Sequence, residues 1–262
     1  MVKTNYHTHC YLCGHAEGLP SDYIKRAVNL GFAEIGISDH GPLLPQWTIR
    51  MNLDEFHNIY LKDIDEAKIK YGDKIKIYKG LELEYYPDYD QHYQSLLKEL
   101  DYLILGQHAV YMNDKLVDIY KGIGKDVVYR YVEELIDGIK SGYFRIIAHP
   151  DLFMYGYLGF WDEELEDYSR KIIEAAIAND VYLELNVNGA RRQRILTKNN
   201  EVTWKYPYLE FWRLVSTYKD VKIIINADCH KINYLYDEVT EEVIKFANDL
   251  KLNICDKVKV LK

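Results

Sequence analysis

Two imidazoles stand two residues apart in Tyr6-His7-Thr8-His9-Cys10, at the end of the first apolar run. On a β-strand that spacing turns both side chains to one face, where a single cation can take both. Five more histidines, His15, His40, His108, His149 and His230, each lie near the end of a strand-like segment. The carboxylates Glu82 and Asp228 sit in the same kind of place. Any one of these histidines, taken alone, is more often a hydrogen-bonded structural residue than a ligand. Seven of the nine histidines at successive strand ends imply convergence on metal. His57 and His92 fall on predicted helices and are read as surface residues. Imidazole mixed with carboxylate suits zinc, iron(II) or manganese better than calcium or magnesium, which favour oxygen shells. Catalytic ions take three or four protein ligands each, so this donor set, with one shared carboxylate, fits three divalent ions.

The elements that must position these groups follow from periodicity. Strands are predicted at Val2–His7, Ala33–His40, Ile75–Glu84, Tyr102–His108, Phe144–His149, Val181–Val187 and Val221–Asp228, the fifth ended by Pro150. Alternation in the third places Glu82 and Glu84 on one face. Helices are expected after Ser21 or Asp22 as N-cap with Gly31 as the stop, and over 54–70, 125–140, 162–178, 208–218 and 238–250. A short one is marked by Leu96, Leu97 and Leu100. The segment with Pro42, Pro45 and Trp47 reads as a loop, and the Cys255–Leu261 tail has no assigned structure. Strands alternating with helices along the whole length, without a linker or repeat, predict one parallel α/β domain over 1–262. A doubly wound sheet also accepts this order. The polar residues end strands one to five and seven, and only a barrel brings those ends onto one rim.

Composition narrows the function. A net charge of -8 offers no basic face for nucleic acid. Arg191, Arg192 and Arg194 form a local patch sized for one phosphate. No secretory leader and no long apolar run is evident, so a cytoplasmic protein without a membrane segment is expected. Cys10 and Cys13 form a CxxC with no second pair, and are read as reduced thiols beside the site rather than as a zinc knuckle or redox pair. Most of the 25 tyrosines are expected to fill core and surface, and a minority to line a pocket.

The ordered motifs HTH (7–9), His15, SDH (38–40), GLE (80–82), QH (107–108), AHPD (148–151) and ADCH (227–230) resemble the polymerase-and-histidinol-phosphatase (PHP) family over nearly the whole chain. The CGHA segment, the DHGPL segment at 39–43 and the length are most similar to its monofunctional histidinol-phosphate phosphatases. The resemblance implies a distorted (β/α)7 TIM-like barrel and a trinuclear centre. Laid on this sequence, it gives His7, His9, Glu82 and Asp228 to one ion, Glu82, His108 and His149 to a second, and His15, His40 and His230 to a third. It implies hydrolysis of L-histidinol phosphate in histidine biosynthesis by attack of a metal-bridging hydroxide, without a phosphoenzyme. Asp39, Asp151 and Glu17 are candidates for the acid that protonates the leaving group, and Glu17 also for the substrate's ammonium. The stretch Glu184-Leu185-Asn186-Val187-Asn188-Gly189-Ala190-Arg191 is similar to the family's strand-six motif, which nominates Arg191 as the phosphate fork and Arg192 as the alternative. Another small phosphomonoester, a nucleotide or a phosphotyrosine, is the second reading. A metal-binding scaffold without turnover is the third, and the complete ligand set opposes it.

Overall fold

The computed structural model describes residues 3–42 and 50–260. Val2 of the first predicted strand, Leu43, Pro45 and Trp47 of the loop, and Leu261 lie outside the described residues. The strands, in chain order, are β1 (Thr4–Asn5), β2 (Glu34–Ile37), β3 (Lys76–Leu83), β4 (Tyr102–Leu105), β5 (Ala109–Met112), β6 (Lys115–Asp118), β7 (Ile146–Ile147), β8 (Tyr182–Asn186), β9 (Arg194–Leu196), β10 (Val202–Trp204) and β11 (Lys222–Asn226). Seven of them form one parallel sheet in the order β1-β2-β3-β4-β7-β8-β11, with β5–β6 and β9–β10 as separate hairpins.

The sheet curls until its first and last strands meet. At that seam side chains stand in for a strand ladder: the Asn5 Oδ1 accepts from the Ala227 N–H at 2.6 Å, and the Asn226 Oδ1 from the Tyr6 N–H at 2.8 Å. One parallel bridge, Thr8 with Cys229, completes the closure, with the His9 N–H donating to the Cys229 carbonyl at 3.1 Å. The expected seven-stranded distorted barrel is what the chain forms. Its strands are buried on both faces, as parallel strands under helices must be.

Two apolar regions hold it together. Helices Pro20–Asn29, Lys125–Lys140, Glu163–Ala178 and Glu238–Asp249 pack their apolar stripes on the outside of the barrel. Inside it, Tyr6, Tyr78, Tyr102 and Tyr182 stack with Ile104, Ile146 and Ile224. Gly80 makes room for Tyr102, because a Cβ there would lie 2.4 Å from its ring. No helix among the described residues is long and apolar enough to cross a membrane.

Several local expectations are corrected. The first helix begins at Pro20 with Leu19 as its N-cap, and Asp22 reaches back from the first turn to accept from the Leu19 N–H at 2.9 Å. Neither Ser21 nor Asp22 is therefore the cap. Gly31 ends the helix at φ +72°. The β5–β6 hairpin was not anticipated. Its turn residues Asn113 and Asp114 have φ of 50° and 60°, the primed turn that matches strand twist. The tail also has a definite place, since it crosses the bottom of the barrel. Val258 is 4% exposed against the interior tyrosines, its N–H donates to the Tyr6 hydroxyl at 3.1 Å, and the Lys259 N–H donates to the Tyr182 hydroxyl at 3.1 Å.

Replacing Val258 by Asp puts an unpaired carboxylate among those rings. It should lower unfolding free energy by about 2–4 kcal/mol in a denaturant titration. An unchanged midpoint would show that the tail is not part of the core.

Candidate metal centre and its pocket

Each predicted ligand except His15 and His230 is buried to 5% exposure or less, and all lie on the C-terminal rim of the barrel. His7 and His9 follow β1, His40 follows β2, Glu82 lies in β3, His108 follows β4, His149 follows β7, and Asp228 and His230 follow β11. His149 and Asp228 have left-handed backbones, φ 32° and 44°. Such conformations cost of order 1–3 kcal/mol each in non-glycine residues and concentrate at functional sites.

Glu82 is the hub. Its Oε2 lies 3.3 Å from His7 Nε2, 3.4 Å from His9 Nε2 and 3.1 Å from His40 Nδ1. Its Oε1 lies 3.1 Å from His149 Nε2 and 3.4 Å from His108 Nε2. Asp228 Oδ1 approaches His9 Nε2 at 3.1 Å and His7 Nε2 at 3.6 Å. Gly106 leaves the space this needs, since a Cβ at that position would stand 2.1 Å from Glu82 Oε1.

The far nitrogens of the rings are also held. His7 Nδ1 meets Glu184 at 2.8 Å, His9 Nδ1 meets Asp39 at 3.0 Å, and His108 Nδ1 meets Glu84 at 2.9 Å. Arg50 clamps Glu84 at 2.5 and 2.6 Å. A carboxylate on Nδ1 fixes the proton there and leaves Nε2 as a lone pair. Yet His7 Nε2 and His9 Nε2 stand 3.0 Å apart, facing each other and two carboxylate oxygens. Acceptors in that arrangement need a cation among them. Burial disfavours imidazolium at His7, and the carboxylates of Glu184, Asp228 and Glu82 outweigh it and raise its pKa. At His108 burial is likewise overcome by Glu82 and Glu84, and the ring is pushed up to about 9. The chemistry of the donors thus fits divalent ions.

Three sets of ligand atoms group within 4.8 Å, His7 with His9 and Glu82, Glu82 with His108 and His149, and His15 with His40 and His230; Asp228, which the resemblance adds to the first set, is not part of that group. A further set, His9 with Cys13 and His230, meets the same criterion. Cys10 donates its thiol to Asp39 at 2.9 Å, and both it and Cys13 are free buried thiols. His57 and His92 stand apart, on Glu99 and on the Pro42 carbonyl.

Above the cluster opens a cavity of about 690 Å³, lined among others by Asp118, Tyr120, Tyr155, Asn188 and Arg192. Arg192 lies between the Tyr120 and Tyr155 rings, at 5.6 and 5.5 Å. Arg191 does not reach it. Its fork is closed on both oxygens of Asp237 at 2.6 and 2.9 Å and stacks on Tyr234 at 4.1 Å, so the expectation that it holds phosphate is corrected. The cause is the single helical turn Val187–Ala190, which turns consecutive side chains about 100° apart and sends the two arginines to different sides.

The acid candidates are also placed elsewhere. Asp39 spends its oxygens on His9, Cys10 and the His40 N–H. Asp151 accepts from the Tyr208 N–H and the Trp212 indole, and burial pushes its carboxyl up to about 7. Glu17 accepts from the Ile232 N–H at 2.9 Å and braces the two loops that carry His15 and His230. None of the three lines the cavity.

The pocket residues Asp118 and Tyr120 escape sequence reasoning, and Glu184 enters it only as part of the strand-six stretch, without its role on His7. An Asn-Asp turn between alternating residues was the available signal for the first two. Period-two spacing of Glu184 with Asn186 was the signal for the third.

A PHP domain model matches residues 5–188. The chain belongs to the PHP domain family. Among curated relatives, a probable histidinol-phosphatase of Deinococcus radiodurans is 24% identical over 251 residues, 90% of this chain and 91% of that protein. The histidinol-phosphatase of Bacillus subtilis is 24% identical, over 92% of this chain and 99% of that protein. The crystal structure of Lactococcus lactis histidinol phosphate phosphatase, complexed with zinc, L-histidinol and phosphate, superposes with a TM-score of 0.72 at 18% identity, covering 98% of both chains. At that identity it supports the PHP barrel.

Glu184→Gln should weaken metal affinity about 10- to 100-fold in a competitive chelator titration, because the His7 tautomer loses its anchor. Gly106→Ala should lose metal by displacing Glu82. Full metal retention in both would remove these contacts from the account of the site.

Proposed function

We propose that this PHP-family chain is a metal-dependent phosphatase of L-histidinol phosphate, working with three divalent transition-metal ions. One observation carries the substrate assignment: among the described residues, the cavity over the ligand cluster presents one guanidinium, Arg192, and one carboxylate outside that cluster, Asp118. A substrate with a phosphate at one end and an ammonium at the other matches that pair of charges. The names of the Deinococcus, Bacillus and Lactococcus relatives support the same substrate.

The proposed ligand sets are His7, His9, Glu82 and Asp228; Glu82, His108 and His149; and His15, His40 and His230. Bound ions of this kind supply an acidified water and neutralise phosphoryl oxygens. The rest is work for the side chains. Arg192 offers two parallel N–H donors to phosphate oxygens, and the flanking tyrosine rings hold its plane. Asp118 is fixed by accepting from the Tyr120 N–H at 2.8 Å, and its other oxygen, 3.9 Å from the exposed Lys121 ammonium, is the one this reading gives to the substrate's ammonium. Tyr120 and Tyr155 give flat walls for an imidazole ring. Asn186 and Asn188 donate to Asp228 Oδ2 at 3.0 and 3.4 Å and keep its other oxygen on the cluster. The four free cysteines support a reducing, cytoplasmic setting.

Metal-reconstituted protein should prefer L-histidinol phosphate over nucleoside monophosphates and phosphotyrosine, and a chelator should abolish turnover. Equal kcat/KM across the panel would remove the substrate assignment, and fewer than about two ions per chain would remove the trinuclear one. Arg192→Ala should lower kcat/KM at least about tenfold for every monoester, the loss of a charged hydrogen bond of roughly 1.5–3 kcal/mol. Asp118→Asn should do so for histidinol phosphate alone. If Asp118→Asn impairs a monoester without an ammonium equally, the carboxylate serves the fold or the cluster instead.

A further inference from the structure

We propose that a second cavity, about 380 Å³ and outside the catalytic pocket, is an effector site for a small organic ammonium ion carrying an aromatic or alkyl body. It lies between the segment after β3, the β5–β6 hairpin and helix Lys125–Lys140.

Three tyrosines give it aromatic walls. The Tyr86 ring stands 6.0 Å from that of Tyr89 and 6.4 Å from that of Tyr111, the second nearly perpendicular. All three rings line the cavity, and an ammonium placed over a tyrosine face is attracted by its ring quadrupole. Tyr86 is 7% exposed, and its hydroxyl has no hydrogen-bond partner. Such a group is costly to bury and points to a missing polar ligand.

The charges favour a cation. Asp88, Glu134 and Asp137 line the cavity against a single guanidinium, that of Arg130, which is taken up by Glu134 at 2.8 Å. The exposed Asp88 and Asp137 are left to meet a ligand. A cavity of this volume suits a molecule of about one ring and a short chain.

The site also touches the parts that hold the metal centre. Glu134 accepts from the Gln107 side chain at 2.8 Å and from the Tyr111 N–H at 3.1 Å. Gln107 in turn accepts from the Tyr85 N–H at 3.1 Å. His108 follows Gln107, and Glu84, its Nδ1 partner, precedes Tyr85. A ligand that draws Tyr86 and Glu134 together therefore bears on both chain segments that orient His108.

The test uses metal-loaded protein and 2-phenylethylammonium, with phenylacetate as the anionic counterpart, in titration calorimetry. Saturable binding of the amine and none of the acid is expected. Tyr111→Ala, at a 43% exposed position where folding is not at stake, should weaken binding about threefold or more, and Tyr111→Ala with Asp137→Asn more strongly. Asp118→Asn, which removes the carboxylate proposed to meet an ammonium in the catalytic pocket, should leave the dissociation constant unchanged. Absence of saturable binding up to about 10 mM, weaker than any ordinary ligand site, would overturn the proposal. So would binding that responds to Asp118→Asn but not to Tyr111→Ala. In steady-state assays saturating amine should alter kcat/KM of the parent protein and not of Tyr111→Ala, and an identical response in both would overturn the effector role. Only this last arm rests on the phosphatase reading. If no phosphatase activity is found, the calorimetric arm still decides whether the site exists.

Discussion

Everything at the rim of this barrel is arranged around one carboxylate. Glu82 meets five imidazoles within 3.4 Å, three on one oxygen and two on the other, while buried to 1% exposure. A lone ionised carboxylate at that depth would be protonated. Here desolvation is overcome by His7, His108 and His40, and its pKa falls well below the ordinary value. The imidazole nitrogens and the carboxylate oxygens crowd at one point as a set of donors for cations. Five strands must therefore end at one point, which a closed parallel barrel provides and an open sheet does not.

The same concentration of donors explains the unusual seam. Main-chain pairing between β1 and β11 would fix only the backbone. The amides used instead reach in two directions: Asn226 accepts from Tyr6 and donates to Glu184 at 2.9 Å, and Glu184 holds His7. Asn5 likewise accepts from Ala227 and donates to the His7 carbonyl at 3.1 Å. Barrel closure and ligand orientation thus share atoms. The left-handed backbone at Asp228, two residues past β11, is a local strain that this shared network sustains.

What the sequence made legible follows from which signals are local. His7, His9, Glu82, His108 and His149 could be placed because each belongs to a strand or its immediate end, where period-two alternation and chain order determine position. Helix Lys125–Lys140 was readable from its apolar stripe to the residue. The resemblance ranks Arg191 ahead of Arg192, and the structure reverses that order because their directions depend on one turn of helix and on Asp237, 46 residues later. Asp118 was hidden for a related reason. Its hairpin packs over the rim through Glu134, a contact between chain segments that no periodicity encodes.

The tyrosines divide along the barrel axis, and the division bears on the electrostatics of the site. At the bottom Tyr6, Tyr78, Tyr102 and Tyr182 fill the interior, and the tail seals them with Val258. Burial raises the phenols of Tyr6 and Tyr102 far above the ordinary range, so they stay neutral whatever the cluster carries. The Tyr102 hydroxyl donates to the Tyr6 carbonyl at 2.5 Å, one residue before His7, and so carries no charge into the ligand shell. Water is kept from the cluster on that side, and its field is left to act toward the open cavity. There Tyr120 and Tyr155 flank Arg192, the one guanidinium lining the cavity among the described residues. A dianionic group entering the cavity from solvent meets that cation and the cluster together. Inside this barrel the ligand cluster and Arg192 therefore lie at the rim, and phenols held neutral by burial lie beneath them.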